Sequence, residues 1–106
     1  MINTRLLRML YALPVLLPAV VACAQPSLKG AYEKRFKIGA AVNEAQVAGK
    51  PAADSVLLLR HFNAVTPENI MKAEVIHPQW MQYRFAPADA LVAFARRHGL
   101  QLNGHT

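Results

Sequence analysis

The chain has 106 residues, about the length of one small domain, and is 54% hydrophobic and 17% charged with only five glycines. That composition is too apolar for a disordered chain and too poor in glycine for a collagen-like one. The net charge is +6, but Arg5 and Arg8 supply two of those charges. The remaining basic residues are scattered apart from Lys34-Arg35 and Arg96-Arg97, so the charge does not argue for a nucleic-acid partner.

Residues 1–24 read as a signal peptide. Arg5 and Arg8 precede an apolar stretch from Met9 to Ala22, the order of a basic leader and its hydrophobic segment. The stretch is shorter than the roughly 20 apolar residues of a membrane-spanning helix. Pro14 and Pro18 argue against a buried core helix, because each removes a helix hydrogen bond. Two processing readings stand side by side. Ala22-Cys23-Ala24 is a small-residue site with the cut before Gln25. Val20-Val21-Ala22-Cys23 also resembles a bacterial lipobox, in which Cys23 becomes the lipid-bearing first residue and anchors the protein to a membrane. Cys23 is the only cysteine, so no intrachain disulfide forms. Both readings imply an exported bacterial protein, whether periplasmic, an outer-membrane lipoprotein or secreted.

Residues 25–32 read as a linker, with Pro26 and Gly30, and residues 33–106 as the folded part. Phe36 to Val42 is a short apolar run, predicted as a buried strand because it is too short for a helix. Gly49, Lys50 and Pro51 mark a loop. Asp54 to Phe62 is predicted as a helix with Asp54 or Ser55 as its cap. Asn63 to Thr66 is a second strand, and Glu68 to Pro78 is irregular with one helical turn around Met71. Period-two spacing over Gln79 to Phe85 puts Tyr83 and Phe85 on one face. Pro87 suits the first helical position, and Ala88 to His98 is the clearest helix, burying Leu91, Val92, Phe94 and Ala95. Arg96, Arg97 and His98 complement its C-terminal dipole, and Gly99 is a ready terminator. Leu100 to Gly104 is the third strand. Strand, helix, strand, helix, strand implies an α/β fold with a parallel sheet and right-handed crossovers.

Polar residues follow each strand: Asn43-Glu44, Glu68-Asn69 and His105-Thr106. Parallel α/β folds gather function at the C-terminal ends of strands, although polar loops and caps fall there too. Lys72, four residues after Glu68, pairs with it if the stretch is one helical turn. A surface ion pair of that kind contributes little. Glu74 reads as a solvated surface group. His61 and His77 lack ligand-like spacing, so no metal is assigned. Trp80 and Tyr83 have the shape to stack on a sugar face, with ordinary packing the stronger expectation. No glycine-rich phosphate loop, nucleophile elbow or HExxH motif occurs, and no cofactor is implied.

Thr66-Pro-Glu-Asn-Ile-Met-Lys72 resembles the T/A-x-E-N-x-M-K segment of glycoside hydrolase family 10, the endo-1,4-β-xylanases. Phe36-Lys-Ile-Gly-Ala-Ala resembles that family's first strand, and His61-Phe-Asn63 precedes the motif as in the family. Pro78, Tyr83-Arg-Phe85 and Ala88-Asp89 are similar to its P…F-x-F…A-D stretch, and Gly104-His105-Thr106 to the start of G-H-T-L-V-W-H. Ala73 stands where many members have Trp, Met81 where Gly is common, and Ala86 at a helix N-cap.

The resemblance covers nearly all of residues 33–106. It implies the N-terminal part of a (β/α)8 TIM barrel, about three βα units, as a portion of a larger enzyme. It implies retaining hydrolysis of the β-1,4 bonds of xylan by two glutamates. Those lie on the fourth and seventh strands, so no catalytic residue is expected here, and Glu44 and Glu68 are not taken as substitutes. Carried over, Glu68, Asn69 and Lys72 bind glycone hydroxyls, and His105 binds the sugar beside the cleavage point. The expected partner is xylan or a xylo-oligosaccharide, and the chain alone is expected to be inactive. The competing reading is a non-enzymatic envelope lipoprotein or sugar-binding module.

Overall fold

The computed structural model describes residues 25–105. The signal-peptide reading and Cys23 lie outside the described residues.

Three short strands form one parallel sheet in the order β1 (Gly39–Val42), β2 (Ala64–Pro67), β3 (Gln101–Leu102). The register pairs Val42 with Pro67 and Val65 with Leu102. β1 begins three residues later than the sequence suggests. Phe36 is exposed and stacks on Tyr32, with ring centroids 4.9 Å apart, instead of entering the sheet.

Five helices accompany the sheet: α1 (Leu28–Ala31), α2 (Glu44–Val47), α3 (Ala52–His61), α4 (Ala73–Ile76) and α5 (Ala86–Arg97). The two long ones, α3 and α5, are the expected crossovers. α3 starts two residues early, with Pro51 at the N-cap and no side-chain cap. Asp54 therefore does not cap the helix; it sits in the first turn and accepts a 3.0 Å hydrogen bond from Gln46 Nε2. Ser55 does not cap it either: its buried Oγ has no partner. α5 takes Phe85 as its N-cap, so Ala86 is the first helical residue and not a cap, and Pro87 is the second. Pro87 fits there because the early amides of a helix lack partners in any case. Gly99 ends α5 with φ +63°, a left-handed conformation that costs glycine little.

The three short helices are departures from the sequence reading. The linker holds α1, capped by Ser27, whose Oγ accepts from the Gly30 amide. Asn43 opens α2 through a capping box: its Oδ1 accepts from Gln46 N, and Gln46 Oε1 accepts from Asn43 N. The helical turn placed around Met71 lies further on, at α4.

One core lies between the sheet and the long helices. Val42, Leu58, Val65, Ile70, Leu91, Phe94, Ala95 and Leu100 are buried in it. Leu91, Phe94 and Ala95 recur at helical spacing and seat α5, whereas Val92 stays exposed, contrary to expectation. At the entrance to the sheet, Asn63 Oδ1 accepts a 2.7 Å hydrogen bond from Ile38 N, while Ile38 O accepts from the amides of Asn63 and Ala64. Asn63 O in turn accepts from Gln101 N. One residue thus ties all three strands at their N-terminal ends.

The segment before the sheet is fastened to the last turn of α3. Leu28 N donates to His61 Nδ1 at 3.2 Å, Lys29 Nζ donates to Leu59 O at 2.6 Å, and Arg60 Nη2 donates to Gln25 O at 3.3 Å.

Candidate functional site

All three strands point the same way, so their exits share one rim. At β1 the chain turns into Asn43 and Glu44, and at β2 into Glu68 and Asn69. Glu68 N donates to Val42 O at 2.9 Å, which locks the second exit beside the first. Asn103 N donates to Val65 O at 2.9 Å, which continues the third strand along the second as far as the Gly104-His105 exit. A Cβ built on Gly104 would stand 4.0 Å from Met71 Sδ. The residue before His105 therefore lies against the residue before Lys72. Adjacent strands are about 4.8 Å apart, so neighbouring exits fall within the span of one sugar ring or two.

The four expected sugar-binding residues all lie on this rim, by two routes. Glu68 and Asn69 follow β2 directly and are exposed. Lys72 is half-buried and stands at the N-cap of α4 with extended backbone, ψ 146°. Glu68 and Lys72 thus do not share a helical turn, and no ion pair joins them among the described residues. The break comes at a reverse turn in which Lys72 N donates to Asn69 O at 3.0 Å. Two opposite charges are left apart, each available to an incoming group. His105 is exposed just beyond β3.

A carboxylate, an amide, an ammonium and an imidazole supply both acceptors and donors. Such a set has the chemical capacity to pair with the vicinal hydroxyls of a neutral polyol without a large net charge. Among the described residues, no group of three or more His, Cys, Asp or Glu is placed to hold a metal ion.

The sequence did not single out Arg84. Its Nη2 lies 3.6 Å from Glu44 Oε1, forming the one ion pair among the described residues, and both side chains are about half exposed. Forty residues separate the partners, so no spacing rule reveals the pair. Arg84 reaches the rim because its amide donates to Ile76 O at 2.7 Å, which fastens the loop after α4 back onto that helix. In the same loop His77, Tyr83 and Phe85 stack nearly parallel, with centroids 4.5 and 5.6 Å apart. Tyr83 and Phe85 do share a face. Trp80 does not pack: it is 86% exposed at the tip of the loop, because the tight Gln79–Gln82 bridge turns it outward. Met81 follows at φ +62°, a conformation that glycine adopts more easily.

Residues 27–106 match the sequence family described as glycosyl hydrolase family 10. The chain is 48% identical over 81 residues to a beta-1,4-xylanase of Dictyoglomus thermophilum, covering 76% of this chain and 22% of that protein. It is 41% identical over 81 residues to endo-1,4-beta-xylanase B of Paenibacillus barcinonensis, covering 76% and 23%. Among solved structures, it resembles an endo-1,4-beta-xylanase from Caldicellulosiruptor owensensis at 42% identity with a TM-score of 0.68, covering 76% of this chain and 24% of that one. A mutant structure in complex with xylotriose matches at 45% identity and a TM-score of 0.68, over 76% and 24%. The chain spans about a quarter of the length of these relatives. With the match running through all three strands and both long helices, the chain belongs to glycosyl hydrolase family 10.

Proposed function

We propose that this chain forms the glycone-binding quarter of an endo-1,4-β-xylanase, in which its three strands open a (β/α)8 barrel. The observation that carries the reading is the meeting, on one rim, of the Glu68-Asn69-Ile-Met-Lys72 segment and Gly104-His105 within a family match covering residues 27–106. Xylan and its oligosaccharides are the substrate class, supported by relatives named as xylanases and by the structural relative in complex with xylotriose.

In this reading, Glu68 accepts from a pair of sugar hydroxyls while Asn69 and Lys72 donate to their neighbours. His105 fixes the sugar next to the scissile bond. Hydrolysis with retention needs two carboxylates about 5.5 Å apart, and the family resemblance puts those on later strands. The residues of this chain orient the substrate so that the bond is presented to that pair. Contacts of this kind raise turnover where they tighten as the ring flattens toward the oxocarbenium-like transition state.

The test is the natural gene product carrying these residues, assayed for reducing-sugar release from xylan. Alanine at Lys72 or His105 lowers kcat/KM on small xylosides and leaves the stereochemical outcome unchanged. Complete loss in Glu68→Ala, rescued by azide, would make Glu68 a catalytic carboxylate and overturn the assignment.

Export belongs to the same proposal. The basic start, short apolar run and small-residue site of residues 1–24 support removal of the leader. Mass spectrometry of the mature protein reads the outcome. An intact Met1 refutes export by this route, and a diacylglyceryl mass on Cys23 selects the lipidated form over the Gln25 start.

A further inference from the structure

Lysines and arginines scattered along the sequence are gathered by the fold. α3 and α5 run back against the strands they connect, so their last turns lie at the end of the sheet where the strands begin. Arg60 stands there in α3, and Arg96 and Arg97 in α5. Lys29 of α1 reaches the same end through its bond to Leu59 O. Lys34, Arg35 and Lys37 lie in the turn and coil that lead into β1. Glu33 is the one carboxylate beside them. The remaining acidic side chains follow a strand exit, as Glu68 does, or sit in the first turns of helices, as Glu44, Asp54, Glu74 and Asp89 do, at the opposite end. We propose that this cationic end is a docking face for the surface of an anionic phospholipid bilayer.

Charge is the first support. Basic residues in last turns complement helix dipoles, which accounts for Arg60, Arg96 and Arg97. Lys34, Arg35 and Lys37 close no helix and are exposed. No carboxylate neutralises any of these cations among the described residues, where the one ion pair is Glu44–Arg84 at the far end. The bonds of Lys29 and Arg60 go to carbonyl oxygens and leave their charges intact. Apolar surface among the cations then selects the kind of partner. Phe36 is 57% exposed and Leu28 46%, and Phe36 stacks on the exposed Tyr32. Arg35 N and Phe36 N both donate to Tyr32 O, at 2.8 and 3.1 Å, so the turn presents the two rings ready-made. Rings that settle at headgroup level, flanked by lysine and arginine that reach phosphates, are the composition of a membrane-surface segment. A soluble polyanion draws on the cations and leaves Leu28 unused. The face also adjoins the start of the mature chain, because Gln25 is bonded to Arg60. Docking of this kind needs no lipid on the protein. Beside a lipid it supplies the second signal that stable anchoring requires.

The test uses the natural gene product in the form that begins at Gln25, so that neither leader nor lipid contributes. It is sedimented with vesicles of phosphatidylglycerol and phosphatidylethanolamine and, in parallel, with vesicles of phosphatidylcholine. Binding occurs to the first and not to the second, and it weakens as salt rises. Combined Lys34→Ala and Arg35→Ala weakens it about thirtyfold, roughly fivefold for each cation removed near an anionic surface. Lys50→Ala removes the same charge just before α3, at the opposite end, and leaves binding unchanged. Phe36→Ser weakens binding by a factor that persists at high salt, since burial of a ring is not screened. Thermal melts report whether each variant is folded. If the alanine pair fails to fold, Lys34→Gln with Arg35→Gln carries the same comparison. Equal binding to both kinds of vesicle overturns the proposal, as does an equal loss per charge in Lys50→Ala or no effect in Phe36→Ser. Binding to a DNA duplex or to glucuronoxylan without binding to anionic vesicles also overturns it, and gives the face to a soluble polyanion. None of these results depends on hydrolysis of xylan, so failure of the docking face is distinguishable from failure of the functional reading.

Discussion

Asn63 offers the sharpest test of how the sheet is held. Its Oδ1 accepts from Ile38 N at 2.7 Å in a half-buried position. Replacement by alanine leaves that amide with no acceptor at the edge of the core. A buried polar group stripped of its partner costs about 1–3 kcal/mol. Because water reaches a half-buried site, the lower part of that range, about 1–2 kcal/mol, applies. That free energy corresponds to a factor of about 5–30 in the opening equilibrium. Hydrogen exchange followed by mass spectrometry on the natural gene product reads it directly: peptides covering Ile38 exchange faster by that factor in Asn63→Ala. Asn63→Asp keeps an oxygen in place and retains most of the protection. If the two variants lose protection equally, or neither changes, the side-chain hydrogen bond is not what joins β1 to β2.

Two further outcomes follow from the fold. Gly99→Ala forces a side chain into φ +63°; no heavy atom lies within 4 Å of the new Cβ, so the cost is purely conformational, about 1–2 kcal/mol, and appears as a lowered melting temperature. The 106-residue chain on its own releases no sugar from xylan and shows no cooperative thermal melt. Among the described residues only nine apolar side chains besides Pro67 are buried, Val56, Leu57 and Val92 stay exposed, and β1 and β3 have open edges. A sharp melt of a folded monomer would refute that expectation.

What the sequence disclosed depended on the length over which a pattern could repeat. α5 was legible because Leu91, Phe94 and Ala95 recur at helical spacing and Gly99 closes the run. β2 was legible because Pro67 stops a short apolar stretch. α1, α2 and α4 have four residues each, too few for a period to show, and they owe their form to caps and turns. Asn43 illustrates the ambiguity: a polar residue after a strand is a candidate for function, and its oxygen proves to be occupied in starting a helix. Glu68 follows β2 onto the rim as the strand order implied, but the turn at Asn69 denies Glu68 and Lys72 a shared helical face. The Glu44–Arg84 pair was illegible because it exists only once the loop after α4 has folded back.

If the proposed lipidated form at Cys23 is the mature one, the three bonds fastening residues 25–29 to α3 bear on how the protein would stand on a membrane. His61 is the last residue of α3 and leads directly into β2, so the fastening lies at the end of the sheet away from the rim. Gln25, whose carbonyl accepts from Arg60, is two residues from Cys23, a reach of at most about 7 Å. A lipid on Cys23 would therefore hold the body against the bilayer with almost no stalk. The strand exits, with Glu68, Lys72 and His105, would then face outward, away from the lipid and toward arriving polysaccharide.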